Sequence, residues 1–253
     1  MFKIAALFIF AAAATADPIR NFENFGGKNA SITEFPYQVS IQRFGESYCG
    51  GVIISEKMIL TAATCEAAVG RKIRAGSTFD NVNGSLHSIV EIIRHEQFEI
   101  DQFKNQVPVH NIMLLKVNEP FKFDETRQPI SLSEPDYQVS EYDVGYLTAW
   151  GIIKNEDDTP HSLKKIPVSI ISDEICNESY FSYGGIQENQ FCASSPETRG
   201  EDSCFQYLGS PLTFNGQVFG VSAWKHGCEK SENYQVYTKI APYLSWIEEK
   251  LQL

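Results

Sequence analysis

Two serine hydroxyls stand close together in Asp202-Ser203-Cys204-Phe205-Gln206-Tyr207-Leu208-Gly209-Ser210-Pro211-Leu212. Groups of this kind attack a carbonyl carbon when a neighbouring base takes their proton. The base is missing. Five histidines are scattered along the chain, and neither Ser203 nor Ser210 has one at predictable reach. A hydrolase that uses either serine is therefore the weaker reading. Metal chemistry has no better footing, because no Cys-x-x-Cys occurs and the histidines are not grouped. Neither a metal nor a cofactor is expected.

The elements that must position such a loop are short strands. Tyr37, Val39 and Ile41 alternate with Gln38, Ser40 and Gln42, the pattern of a half-buried strand. Val52–Ile54, Met58–Ala62, Ile112–Val117 and Val218–Ala223 are further apolar runs of strand length. Asn215-Gly216 between two of them is a strong hairpin signal. Pro242 is placed to open a helix in which Tyr243, Leu244, Ile247 and Leu251 share a face. Strand-helix alternation and heptads are absent, which argues against a parallel α/β fold and for an all-β body with one terminal helix. The polar stretch Glu119–Pro129, with its two prolines, marks a linker drawn at about 121–130.

Met1-Phe2-Lys3 and the apolar run Ile4–Ala14, closed by Ala14-Thr15-Ala16, read as a secretory signal peptide over 1–16, cut before Asp17. The run is too short to span a bilayer. Secretion makes the six cysteines a disulfide framework, of which 15 pairings are possible. Asn29-Ala30-Ser31, Asn83-Gly84-Ser85 and Asn177-Glu178-Ser179 are glycosylation acceptors and mark surface loops. The net charge of −11 becomes one unit more negative when the leader and its Lys3 are removed. Nucleic acid, heparin and anionic membranes repel such a chain and are not expected as its ligands.

The loop of Asp202–Leu212 resembles the nucleophile loop of trypsin-like serine proteases, Asp-Ser-Cys-Gln-Gly-Asp-Ser-Gly-Gly-Pro-Leu. Cys49-Gly50-Gly51-Val52, Leu60-Thr61-Ala62-Ala63-Thr64-Cys65, Asn111-Ile112-Met113-Leu114-Leu115, Trp150-Gly151 and Val236-Tyr237-Thr238-Lys239 match further landmarks of that family in the same order. The resemblance implies two antiparallel β-barrels with a C-terminal helix and a cleft between the barrels. It divides the chain into a short degenerate propeptide at 17–25 and a protease domain at 26–253, its barrels at about 26–120 and 131–253. It pairs Cys49 with Cys65, Cys176 with Cys192 and Cys204 with Cys228.

The same alignment removes the catalytic groups. Thr64 stands where the family has its histidine base, Asn111 where it has the orienting aspartate, and Leu208 where it has the serine. His110, next to Asn111, would point to the opposite face of a strand and is a poor substitute. Gln206 takes the place of the oxyanion-hole glycine, and Tyr207 that of the aspartate which receives the new amino terminus on activation. The family's basic cleavage residue aligns with Glu23, leaving Asn24 as the new terminus. Asp202 keeps the position that receives a basic substrate side chain, but Lys225 and Gln235 replace glycines of the pocket wall. We expect them to fill it, with Lys225 pairing to Asp202.

In style, including His95-Glu96-Gln97-Phe98 and Cys176-Asn177-Glu178, the chain is similar to gut trypsins and to group 3 allergens of mites. Among those, the scabies mite inactivated serine protease paralogues are secreted inhibitors of host complement. The resemblance thus implies an extracellular monomeric binding protein whose partners are secreted or host plasma proteins, complement components among them. A residual digestive endopeptidase is the alternative. A cofactor of an endogenous protease cascade is another, although such homologues carry a cysteine-rich domain ahead of the protease-like one.

Overall fold

Antiparallel strands wound into two rings make up the computed structural model, which describes residues 27–101, 107–137, 139, 143–150, 161–195, 208–225 and 234–252. After a two-residue strand β1 (Lys28–Asn29) come β2 (Gln38–Arg43), β3 (Glu46–Ile53), β4 (Met58–Thr61), β5 (Lys72–Ala75) and β6 (Ser85–Arg94). A small ribbon of β7 (Glu99–Asp101) and β8 (Val107–Val109) precedes β9 (Met113–Val117). The first barrel closes in the order β2-β3-β4-β9-β6-β5.

The second half holds β10 (Ser131–Leu132), β11 (Val144–Trp150), β12 (Leu163–Ile171), the helix α1 (Asp173–Ser179), β13 (Gln190–Ser194), β14 (Pro211–Phe214), β15 (Gln217–Trp224), β16 (Gln235–Lys239) and the terminal helix α2 (Leu244–Leu251). Its strands follow the path β12-β11-β14-β15-β16-β13, and β13 pairs back onto β12, so this ring also closes. The β14–β15 hairpin turns at Asn215 and Gly216, at φ 47° and 77°, the two left-handed positions that Asn-Gly supplies. The apolar runs Met58–Ala62, Ile112–Val117 and Val218–Ala223 lie in β4, β9 and β15 to within a residue, and Val52 and Ile53 end β3.

Three expectations are corrected. Gln38, Ser40 and Gln42 are buried like Val39 and Ile41, because β2 has the barrel interior on one side and, on the other, Thr148 of the second barrel at Gln38 and the segment of Asp80 at Gln42. The polar side chains find partners there: Thr148 Oγ1 donates to Gln38 Oε1 at 2.7 Å, and Gln42 Nε2 donates to Ser40 Oγ and to the Asp80 carbonyl. Leu251 is exposed, because α2 ends at that residue, whereas Tyr243 and Ile247 are buried as expected. The body also holds a second helix, α1, whose start is capped by Ser172 Oγ accepting from Ile175 N, with Asp173 and Glu174 in its first turn.

The core divides along the same lines. One apolar cluster fills the first barrel with Ile41, Ile59, Ile73, Ile89, Met113 and Leu115, and another fills the second with Leu147, Ile166, Val168, Phe191, Leu212 and Tyr237. A third, with Tyr37, Leu60, Leu114, Val221, Tyr243 and Ile247, joins the barrels to α2. Burial of such side chains at about 25 cal/mol per Å² supplies most of the driving force for folding. Segment 121–130 lies across the first barrel with Phe121 and Ile130 buried, Ile130 N donating to Ile53 O and Gln128 N to Pro36 O. Disulfides join Cys49 to Cys65 and Cys176 to Cys192. The expected Cys204–Cys228 bridge and the leader and propeptide at 1–25 lie outside the described residues.

Candidate functional site

Strand register brings Thr64 and Asn111 together. Thr61 at the end of β4 pairs with Met113 at the start of β9, so the residues just past one strand and just before the other overhang at the same end. There the two side chains close on each other. Thr64 N donates to Asn111 Oδ1 at 2.8 Å, and Asn111 Nδ2 donates to Thr64 Oγ1 at 3.0 Å and to the Ala223 carbonyl at 3.1 Å. Asn111 is fully buried. Its own carbonyl accepts from Thr238 Oγ1 at 3.0 Å, so backbone and side chain together pin the first barrel to β15 and β16. Thr238 lies inside the landmark run Val236–Lys239, but nothing in the sequence marks it for this contact.

His110 is turned elsewhere, for a reason different from the one expected. It precedes β9 rather than lying in it, and it adopts φ 47°. Its ring stacks on His95 with centroids 4.9 Å apart, and Nδ1 shares a 3.0 Å hydrogen bond with Tyr243 Oη. The histidine is thus a packing residue beneath α2. Burial, then the neighbouring His110, lowers the pKa of His95, and burial raises that of Tyr243 to about 12.

Leu208, Gly209 and Ser210 pass between the barrels. Gly50 N donates to Leu208 O at 2.8 Å, Gly209 N to Ser222 O at 2.7 Å, and Ser222 N to Ser210 O at 2.9 Å. Gly209 sits at φ 74°, and a Cβ there would fall 2.6 Å from the Gly50 carbonyl and 3.0 Å from Cys65 Sγ. Only glycine permits this approach. The Leu208 side chain packs against the first-barrel cluster that includes Cys49, Ala63 and Cys65. Ser210 is buried against Gly50, whose missing side chain makes room for it. Asp202, Gln206 and Tyr207 lie outside the described residues.

On the second barrel, Gln235 Nε2 donates to the Trp224 carbonyl at 2.9 Å and to the Val236 carbonyl at 3.0 Å. The amide thereby ties the end of β15 to the start of β16. Lys225 follows directly, and burial lowers the pKa of its amine. Behind this wall the Trp224 ring packs edge-on against Tyr180 at 4.7 Å, and Tyr180 Oη donates to the Tyr234 carbonyl. Cys176 and Cys192 anchor the same cluster.

Threonine, asparagine and leucine carry no group that exchanges a proton near neutral pH, so these three side chains supply neither a general base nor an activated nucleophile. What they do supply is a satisfied polar seam with an apolar cover.

Two closed barrels joined along that seam define the trypsin fold. The family model for Trypsin matches residues 24–247, and the chain belongs to the trypsin family. Among curated relatives, the "Vitellin-degrading protease" of Bombyx mori is 30% identical over 244 residues, covering 95% of this chain and 90% of its own. "Trypsin Blo t 3" of Blomia tropicalis, a mite group 3 homologue, is 30% identical over 267 residues and is covered over 98% of each chain. The solved structure titled "Neuropsin, a serine protease expressed in the limbic system of mouse brain" superposes with a TM-score of 0.77 over 89% of this chain and 98% of its own; at 24% identity that likeness is one of fold. Among the described residues no helix is long and apolar enough to cross a membrane.

Proposed function

We propose that this trypsin-family chain is a secreted protein that does not cleave peptide bonds and acts by binding, with host complement components or proteins of another host defence cascade as its partners. The observation that carries the first part is the closed pair of Thr64 and Asn111. Asn111 spends both amide hydrogens and its side-chain oxygen within the seam, where a protease needs an imidazole free to take a proton. Leu208, packed on the neighbouring cluster, supports the same reading. For the complement partner the support is resemblance: the chain is similar to mite trypsins, and its inactivated paralogue-like triad positions accompany that similarity.

The experiment combines three measurements on the mature glycosylated protein: turnover of a fluorogenic arginine peptide, complement lysis in fresh mammalian serum, and capture of complement components from that serum at physiological salt. Reduced lysis with capture and without turnover is the expected result. Unchanged lysis without capture removes the complement assignment. The names of the relatives, a degrading protease and trypsins, favour the second reading, an active endopeptidase. Turnover that disappears in a Ser210→Ala variant would establish that reading in place of ours.

A further inference from the structure

Phe44 is 97% exposed, the most exposed large hydrophobic side chain among the described residues. It stands at the tip of the β2–β3 hairpin at φ 56°, followed by Gly45 at φ 91°. Both central residues of the turn are thus left-handed, a conformation suited to Asn-Gly and unfavourable for an aromatic residue. The hairpin would form more readily with asparagine there. Neither core packing nor turn chemistry accounts for a phenylalanine.

The surroundings supply what a partner would use. The Arg43 guanidinium lies 5.6 Å from the centroid of the Phe44 ring and 5.1 Å from that of Tyr48. Beside the ring runs an open groove of about 250 Å³ lined by Phe44, Arg71, Lys72 and Leu86. Leu86, an exposed side chain of β6, is the second apolar group of this groove. Arg71 is positioned by donating to the Glu66 carbonyl, and Lys72 Nζ donates to Ser88 Oγ at 2.6 Å. Arg71 and Lys72 thus line the groove and Arg43 flanks the Phe44 ring, on a chain whose net charge is −11, while the fourth cation there, Arg74, donates to the Asp80, Asn81 and Asn83 carbonyls. Glu46 and Glu66 are the acidic neighbours, and the Arg43–Glu66 ion pair is long, at 3.9 Å.

We propose that this outer face of the first barrel is a protein-docking surface, and that it takes a segment carrying an aromatic or branched aliphatic side chain flanked by carboxylates. The apolar side chain covers Phe44 and Leu86, and the carboxylates meet Arg43, Arg71 and Lys72. An exposed aromatic beside guanidinium groups is the composition of interface anchors. The cations repel basic partners and speed the approach of acidic ones. The inference does not depend on whether the chain cuts peptide bonds.

The test is selection from a random dodecapeptide phage library on the mature protein, followed by affinity measurement of the enriched peptides on wild type, Phe44→Asn and the pair Arg71→Glu/Lys72→Glu. The expected result is enrichment of acidic sequences around an aromatic or aliphatic residue. Their affinity falls at least tenfold in each variant and weakens as salt rises. Phe44→Asn is also expected to keep or raise the melting temperature; a clear drop would mean that Phe44 serves the fold, and would overturn the proposal. Enrichment of neutral or basic peptides, no enrichment, or binding indifferent to both variants would overturn it as well. A Phe44-dependent dimer in sedimentation would reassign the face to a second copy of the chain.

Discussion

Asn111 differs from the carboxylate that the family alignment leads one to expect there by two N–H donors, and both are used. Asn111→Asp would remove the donors to Thr64 Oγ1 and the Ala223 carbonyl and leave a charge with no exposure to water. A buried carbonyl without a donor costs about 1–3 kcal/mol, or very roughly 2–10 °C in melting temperature for a chain of this size; calorimetry at pH 7 should find the loss. Leu208→Ser alone should give no turnover of arginine peptides, since the new hydroxyl would have no base beside it. His87 carries a pH prediction. The network assigns its Nδ1–H to the Glu119 carbonyl at 3.0 Å and leaves Nε2 to accept from Ser85 at 2.8 Å. Burial lowers its pKa below the ordinary 6.5, as it does for His95. The unfolded chain therefore binds these protons at higher pH than the folded one. Their contribution to stability is complete above pH 6.5 and is lost as pH falls through the folded values. Thermal unfolding should shift downward between pH 7 and pH 5, and His87→Asn should flatten part of that slope.

Glycines separate two kinds of constraint at the level of the element. Gly216, in the β14–β15 turn, has φ 77° but no neighbour within 4 Å of a Cβ, whereas Gly209 combines φ 74° with contacts closer than any real Cβ makes. Alanine at 216 should cost about 1–2 kcal/mol, the left-handed penalty alone. Alanine at 209 should cost more, about 3 kcal/mol or above, because the Gly50 carbonyl and Cys65 have to move. Parallel urea titrations of the two variants would rank them. The hairpin itself was legible from Asn-Gly. The strand at Gln38–Arg43 was legible from its period of two, but its burial was not: alternation reports one buried face, and only Thr148 of the second barrel and the segment of Asp80, distant in sequence, explain why Gln38 and Gln42 lie inside. Helix α1 is absent from the strand pattern, and its sequence signal is the start at Ser172, a cap followed by Asp173 and Glu174.

For the molecule as a whole, landmark order alone anticipated two barrels, and the seam between them gathered Thr64 and Asn111 as that order implied. No sequence signal foretold the mutual hydrogen bonds of that pair or the Thr238 contact, since both depend on the register of β4 against β9 and on the packing of one barrel against the other. The acidic balance predicts that the protein passes through a heparin column at physiological salt while binding an anion exchanger. The Arg43–Arg71–Lys72 cluster, being local, should not change that outcome. Two closed rings have a further effect on how such a chain meets others. A strand within a ring has both its flanks already taken, so an extended peptide finds no vacant edge along which to add itself to the first barrel. Recognition there has to go through loop tips and side chains, which can be exchanged one at a time without unzipping a sheet. A scaffold of that kind can change what it recognises while its framework stays the same.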